Sequence, residues 1–112
     1  MAHILVVASS SALASSLSFA LEAEGHRVEV RPNLAAISDD PAQFACTVLD
    51  HHAAGLSRLD AAAFLQRFHP VVLLANEDSH LLSPFGFRTV TKPHLGPLLL
   101  RAVEEAVAVS GR

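Results

Sequence analysis

Short apolar runs alternate along this chain with longer stretches of helical periodicity. Ile4-Leu5-Val6-Val7-Ala8 is apolar at every position, the pattern of a strand covered on both faces. Ser9, Ser10 and Ser11 then offer N-caps for a helix that the spacing carries to about Glu24, with Leu13, Leu17, Ala20 and Leu21 as its inward stripe and Gly25 as its stop. Arg27-Val28-Glu29-Val30-Arg31 alternates strictly, so its charges face water and it belongs at a sheet edge. Leu34 to Ser38 predicts a short helix that ends before Asp39-Asp40-Pro41. Cys46 to Leu49 predicts a third strand closed by Asp50.

Ser57 or Asp60 caps the next expected helix, through Ala61, Phe64, Leu65 and Phe68. Val71-Val72-Leu73-Leu74-Ala75 is a fourth strand, again apolar on both faces, and Arg88 to Thr91 a weak fifth. Between them, Asn76 to Phe85 is too short and too polar at its start for a full helix. Gly96-Pro97 opens a last helix that runs to about Val109. Strands alternating with helices imply a parallel sheet with right-handed crossovers. With two-sided apolar strands inside and the second and fifth at the edges, the order is 2-1-3-4-5. The expected fold is α/β: a flavodoxin-like three-layer sandwich with a shortened or missing fourth helix.

At 112 residues the chain is expected to form a single domain, residues 1–112. A hydrophobic share of 51% with 17% charged residues places it among folded globules. The net charge of −3 provides no basic footprint for nucleic acid. No apolar run approaches a membrane span, and Met1-Ala2-His3 does not open a signal peptide, so a cytoplasmic location is expected. The single cysteine, Cys46, excludes an internal disulfide and reads as strand packing. Ser110-Gly111-Arg112 resembles the opening of a linker.

Chemistry concentrates at two strand ends: Asp50, followed by His51-His52-Ala53-Ala54-Gly55, and Thr91-Lys92-Pro93. Open parallel sheets place their sites at such carboxyl ends. On these residues, together with the first strand His3 to Val7, the chain resembles a response-regulator receiver domain of two-component signalling over nearly its whole length. The resemblance implies that Asp50 stands at the phosphoryl-accepting position, that Lys92 is the conserved-position lysine, and that Pro93 is a cis-proline candidate. It also implies departures. Receivers carry two acidic residues after the first strand, which hold Mg²⁺; here these are Ala8 and Ser9. They carry Thr or Ser at the end of the fourth strand, where this chain has Ala75. An aromatic residue usually stands three places before the lysine, where this chain has Thr89.

Mg²⁺ is a hard cation that depends on carboxylate oxygens. A unit charge pair at about 4 Å is worth roughly 4 kcal/mol at an effective dielectric near 20, before desolvation, so losing two acids weakens the site by orders of magnitude. No cofactor is therefore expected, with weak Mg²⁺ binding at most, and Lys92 is expected to pair directly with Asp50. His51 and His52 are neighbours. In extended chain they point to opposite sides, so they read as solvated loop histidines and no metal site is expected.

The leading expectation is a pseudo-receiver that acts as a protein-interaction module, its partner a signalling protein such as a histidine kinase or an output domain. The alternatives are a conventional phospho-accepting receiver using Asp50, and a small-ligand sensor with a pocket near Phe85 and Phe87. No enzyme is expected, since no paired carboxylates, Gly-rich phosphate loop or nucleophile–base pair is visible. The apolar residues of the last helix exceed one core stripe, which marks Leu99, Val103 and Val107, with Phe19 on the first helix, as interface candidates, including for a homodimer.

Overall fold

The computed structural model describes residues 2–53, 58–75, 88–91 and 96–110. Five strands, β1 (His3–Val7), β2 (Arg27–Arg31), β3 (Cys46–Asp50), β4 (Val71–Ala75) and β5 (Arg88–Thr91), form one parallel sheet of order β2-β1-β3-β4-β5. Three α-helices stand among the described residues: α1 (Ser11–Ala23), α2 (Arg58–Arg67) and α3 (Gly96–Ser110). Residues 76–87, where the shortened fourth helix is expected, lie outside the described residues.

Alternation along the central strands sorts their side chains into two cores. Ile4, Val6, Cys46, Val48, Val72 and Leu74 pack against Ala14, Leu17 and Leu21 of α1 and Leu99, Val103 and Ala106 of α3. Leu5, Val7, Leu49, Leu73 and Ala75 pack on the other face against Ala61, Phe64 and Leu65 of α2. The result is three layers, with burial of each large apolar side chain contributing about 1.5–3 kcal/mol. Thr47 is wholly buried within the sheet, and its hydroxyl has no hydrogen-bond partner.

α1 begins where the serine run allows. The Ser10 hydroxyl accepts from the Leu13 amide, so Ser10 is the cap. The helix ends in a Schellman turn: the Gly25 amide donates to the Glu22 carbonyl and the His26 amide to the Leu21 carbonyl. Gly25 takes φ +92, which a Cβ would strain. After β2 the Arg31 guanidinium donates to both carboxylate oxygens of Asp39, at 3.2 and 2.9 Å, and ties the crossover back to the strand.

Two expectations about surfaces are corrected. Leu99 and Val103 are core residues, and Val107 packs partly against the same core, because these positions follow one another on the face of α3 that meets the sheet. The large apolar side chains that α3 exposes are Leu98 (53%) and Val109 (61%), and the charged residues Arg101 and Glu105 lie between them on the exposed side. Glu105 is engaged with Arg88 at 3.3 Å. On β2, Val30 is exposed although it shares a face with the half-buried Val28. Val30 lines an open cleft against α1 together with Ser15, Ser18 and Phe19.

Candidate site at the carboxyl end of the third strand

β3 is buried along its full length, and Asp50, its last residue, is 2% exposed. Asp50 pairs in register with Leu74 of β4, while on the other side the last β1 pair is Val7 with Leu49. Ala8 is therefore the residue one step beyond β1 that stands level with Asp50. Ile4, Val6 and Ala8 share one face of β1, and Cys46 and Val48 share the same face of β3, so alternation turns Asp50 to that face too. The Ala8 amide donates to the Arg31 carbonyl, which holds the backbone in line with the sheet. Ala8 is buried and Ser9 exposed.

The receiver resemblance implies Mg²⁺ at this place, and the described residues do not fit it. Asp50 offers one hard carboxylate. Ala8 beside it offers a methyl group, and Ser9 a solvated hydroxyl. An octahedral Mg²⁺ bound through carboxylates has one anchor where the family supplies three. Ala75 is buried on the α2 face and carries no hydroxyl. Thr89 sits half-buried in β5. Lys92 and Pro93 lie outside the described residues, as do Phe85 and Phe87. Among the described residues the cis peptide bond is His69–Pro70.

The histidines depart from expectation. The chain does not leave β3 extended. It folds at once into a 3₁₀ turn, His51–Ala53, which brings consecutive side chains around rather than alternating them. The two imidazole rings lie 4.0 Å apart, centroid to centroid, tilted by 33°. His52 Nδ1 is 3.8 Å from Asp50 Oδ2. His51 is half-buried, so it is not the solvated side chain expected, whereas His52 is exposed. Ala53 closes the turn by packing into the α2-side core.

Other candidates fall elsewhere. Burial pushes the Cys46 thiol up to about 12 from its ordinary 9.0, so it stays protonated at neutral pH, as strand packing requires. A cleft of about 620 Å³ runs between α1 and β2, lined by Ala8, Ser9, Ser15, Phe19 and Val30 among others. Phe19, on its rim, is 78% exposed.

No family model matches the chain. Solved structures share its fold. A response regulator receiver domain protein from Clostridium thermocellum superposes with a TM-score of 0.83 at 19% identity, covering 99% of this chain and 98% of that one. The response regulator protein TrrA from Thermotoga maritima, solved in complex with Mg²⁺ and BeF, gives 0.80 at 22% identity over 95% of this chain and 99% of that one. In sequence the chain is 31% identical over 108 residues to the transcriptional regulator protein FixT of Rhizobium meliloti (strain 1021), covering 96% of this chain and 94% of the relative. The chain belongs to the response-regulator receiver family. In this receiver Asp50 closes β3, with the buried Ala8 level with it beyond β1 and the exposed Ser9 next in the chain. No described helix is long and apolar enough to cross a membrane.

Proposed function

We propose that this receiver transmits a signal mainly by binding another signalling protein, and that Mg²⁺-dependent phosphorylation of Asp50 is impaired. One observation carries the reading: the residue level with Asp50 on the adjacent strand is the buried Ala8, followed by the exposed Ser9, rather than a pair of acids. Phosphoryl transfer has little covalent chemistry for a protein to supply and depends on neutralising charge on the phosphoryl oxygens. Removing the groups that hold the cation removes most of that neutralisation. A lysine at position 92 provides one positive charge, but not a metal that can bridge acceptor and phosphoryl group.

The partner fits a signalling protein such as a histidine kinase or an output domain. The surface offered to it is apolar around Phe19 and Val30, at the mouth of the α1–β2 cleft. The residues of α3 named as interface candidates support no such surface, since Leu99 and Val103 are buried in the core and Val107 packs partly against it. A catalytic role of its own is not part of this proposal, and neither is nucleic-acid binding.

TrrA was solved with Mg²⁺ and BeF, which gives a direct comparison. Thermal unfolding of this chain with Mg²⁺ plus beryllofluoride is expected to match unfolding with Mg²⁺ alone. A clear stabilisation that Asp50→Asn abolishes would instead establish a conventional phospho-accepting receiver.

A further inference from the structure

The turn that follows β3 gathers three metal-ligating side chains that no role described above requires together. One carboxylate oxygen of Asp50 and one ring nitrogen each of His51 and His52 all lie within 4.8 Å of one another. The arrangement is graded: Asp50 is buried, His51 half-buried, His52 exposed. An ion arriving from solvent meets His52 first and the carboxylate last. We propose that Asp50, His51 and His52 form a site for a divalent transition-metal ion of the zinc type, a proposal that rests on the reading above in that Ala8 and Ser9 leave Asp50 without a hard-cation site.

The donor set decides the ion. Two imidazoles and one carboxylate suit zinc and its neighbours, whereas magnesium prefers oxygen alone. In a tetrahedral zinc site bonds of about 2.0–2.1 Å place ligand atoms roughly 3.3 Å apart. His52 Nδ1 and Asp50 Oδ2, at 3.8 Å, are close to that separation. The remaining contraction falls on imidazole rotation, while burial fixes the carboxylate as the anchor. Water would complete the fourth position. Two adjacent histidines rarely share an ion because extended chain directs them apart, and the 3₁₀ turn removes that obstacle. A protonated His52 would make an ion pair with Asp50 through the same atoms. At 3.8 Å that contact is well beyond the roughly 2.7–2.9 Å of a charge-assisted hydrogen bond, so a metal displaces no short one between these two atoms.

The test is a calorimetric titration of the whole chain, stripped of metal by a chelator, with Zn²⁺ and separately with Mg²⁺. Saturable one-to-one Zn²⁺ binding is expected, with no comparable Mg²⁺ binding. His52→Gln, at an exposed position, should weaken Zn²⁺ at least tenfold, and the double variant His51→Gln/His52→Gln should abolish binding while circular dichroism shows the fold intact. His3→Gln, in the first strand, should leave it unchanged. Absent Zn²⁺ binding, or binding that survives the double variant, overturns the site. Neither result bears on phosphorylation, and phosphorylation of Asp50 in Mg²⁺ would sink the preceding reading while leaving the zinc titration interpretable.

Discussion

His52 Nδ1 stands 3.8 Å from Asp50 Oδ2, although the two residues sit on either side of His51 in a chain that has just left a strand. The 3₁₀ turn makes this possible, and it gives the buried acid a neighbour on the solvent side. On the sheet side its neighbour is Ala8. The acid at the end of β3 is thus bordered by an apolar side chain on the sheet side and by imidazoles on the other.

Restoring the acids should restore the cation. Ala8→Asp with Ser9→Asp places carboxylates beside Asp50. Without metal their mutual repulsion should lower stability, Ala8 being buried. With Mg²⁺ the double variant should recover stability and bind at least tenfold more tightly than the natural chain, about 1.4 kcal/mol. Thermal unfolding across a Mg²⁺ series measures both effects. An unchanged Mg²⁺ response in a folded variant would count against the role assigned to Ala8 and Ser9.

Cys46 should make stability fall in alkali. Its thiol titrates at about 12 in the folded chain against an ordinary 9.0, because burial disfavours the thiolate. The folded pKa is raised, so the contribution is full below about 9 and is lost as pH rises from there toward 12. Between those values the unfolded chain binds fewer protons, and stability drops by about 1.4 kcal/mol per pH unit. Urea midpoints at pH 8 and pH 10 should differ in this direction, and Cys46→Ala should flatten the difference. Native protein should also resist thiol reagents until it unfolds.

Thr47→Val should stabilise. The hydroxyl is buried without a hydrogen-bond partner, and such a group costs about 1–3 kcal/mol of desolvation. Valine keeps the shape and the β-branch. A gain of up to about 1 kcal/mol in chemical denaturation is expected, and a loss larger than that would mean that the hydroxyl is satisfied.

Phe19→Ser separates surface from core. At 78% exposure the ring contributes little to folding, so stability should change by no more than about 0.5 kcal/mol. Leu17→Ala, two residues away but buried against the sheet, should cost about 2–5 kcal/mol. If the rim of the α1–β2 cleft meets a partner, Phe19→Ser weakens that binding without unfolding the chain. Binding to a cognate signalling protein by the two variants, measured beside their stabilities, checks the distinction.

Much of this architecture is legible in the sequence. Ile4 to Val7, Val48 and Leu49, and Val71 to Leu74 are apolar on both faces, which requires a covered parallel sheet, and the strict alternation of β2 requires an edge. The position of Asp50 at a strand end follows from the same pattern. What the pattern missed has local causes. In α3 nearly every residue is apolar, so periodicity alone cannot tell Leu98, which is exposed, from Leu99, which is buried. Val30 looks like a core residue by alternation, but it lines the open cleft between α1 and β2 and is 39% exposed. Ala14 gives little hydrophobic signal because its side chain is small, yet it is buried between α1 and the sheet. The closeness of His51 and His52 depends on how the chain leaves β3, and no residue at that exit marks a 3₁₀ turn in advance.

The most direct measurement is the intact mass of the protein after incubation with a small phosphodonor and Mg²⁺, beside a receiver of known competence. A receiver with Ala8 and Ser9 beside Asp50, in place of a pair of acids, should remain unmodified while the control gains one phosphoryl group. Stoichiometric addition to this chain, absent in Asp50→Asn, would contradict it.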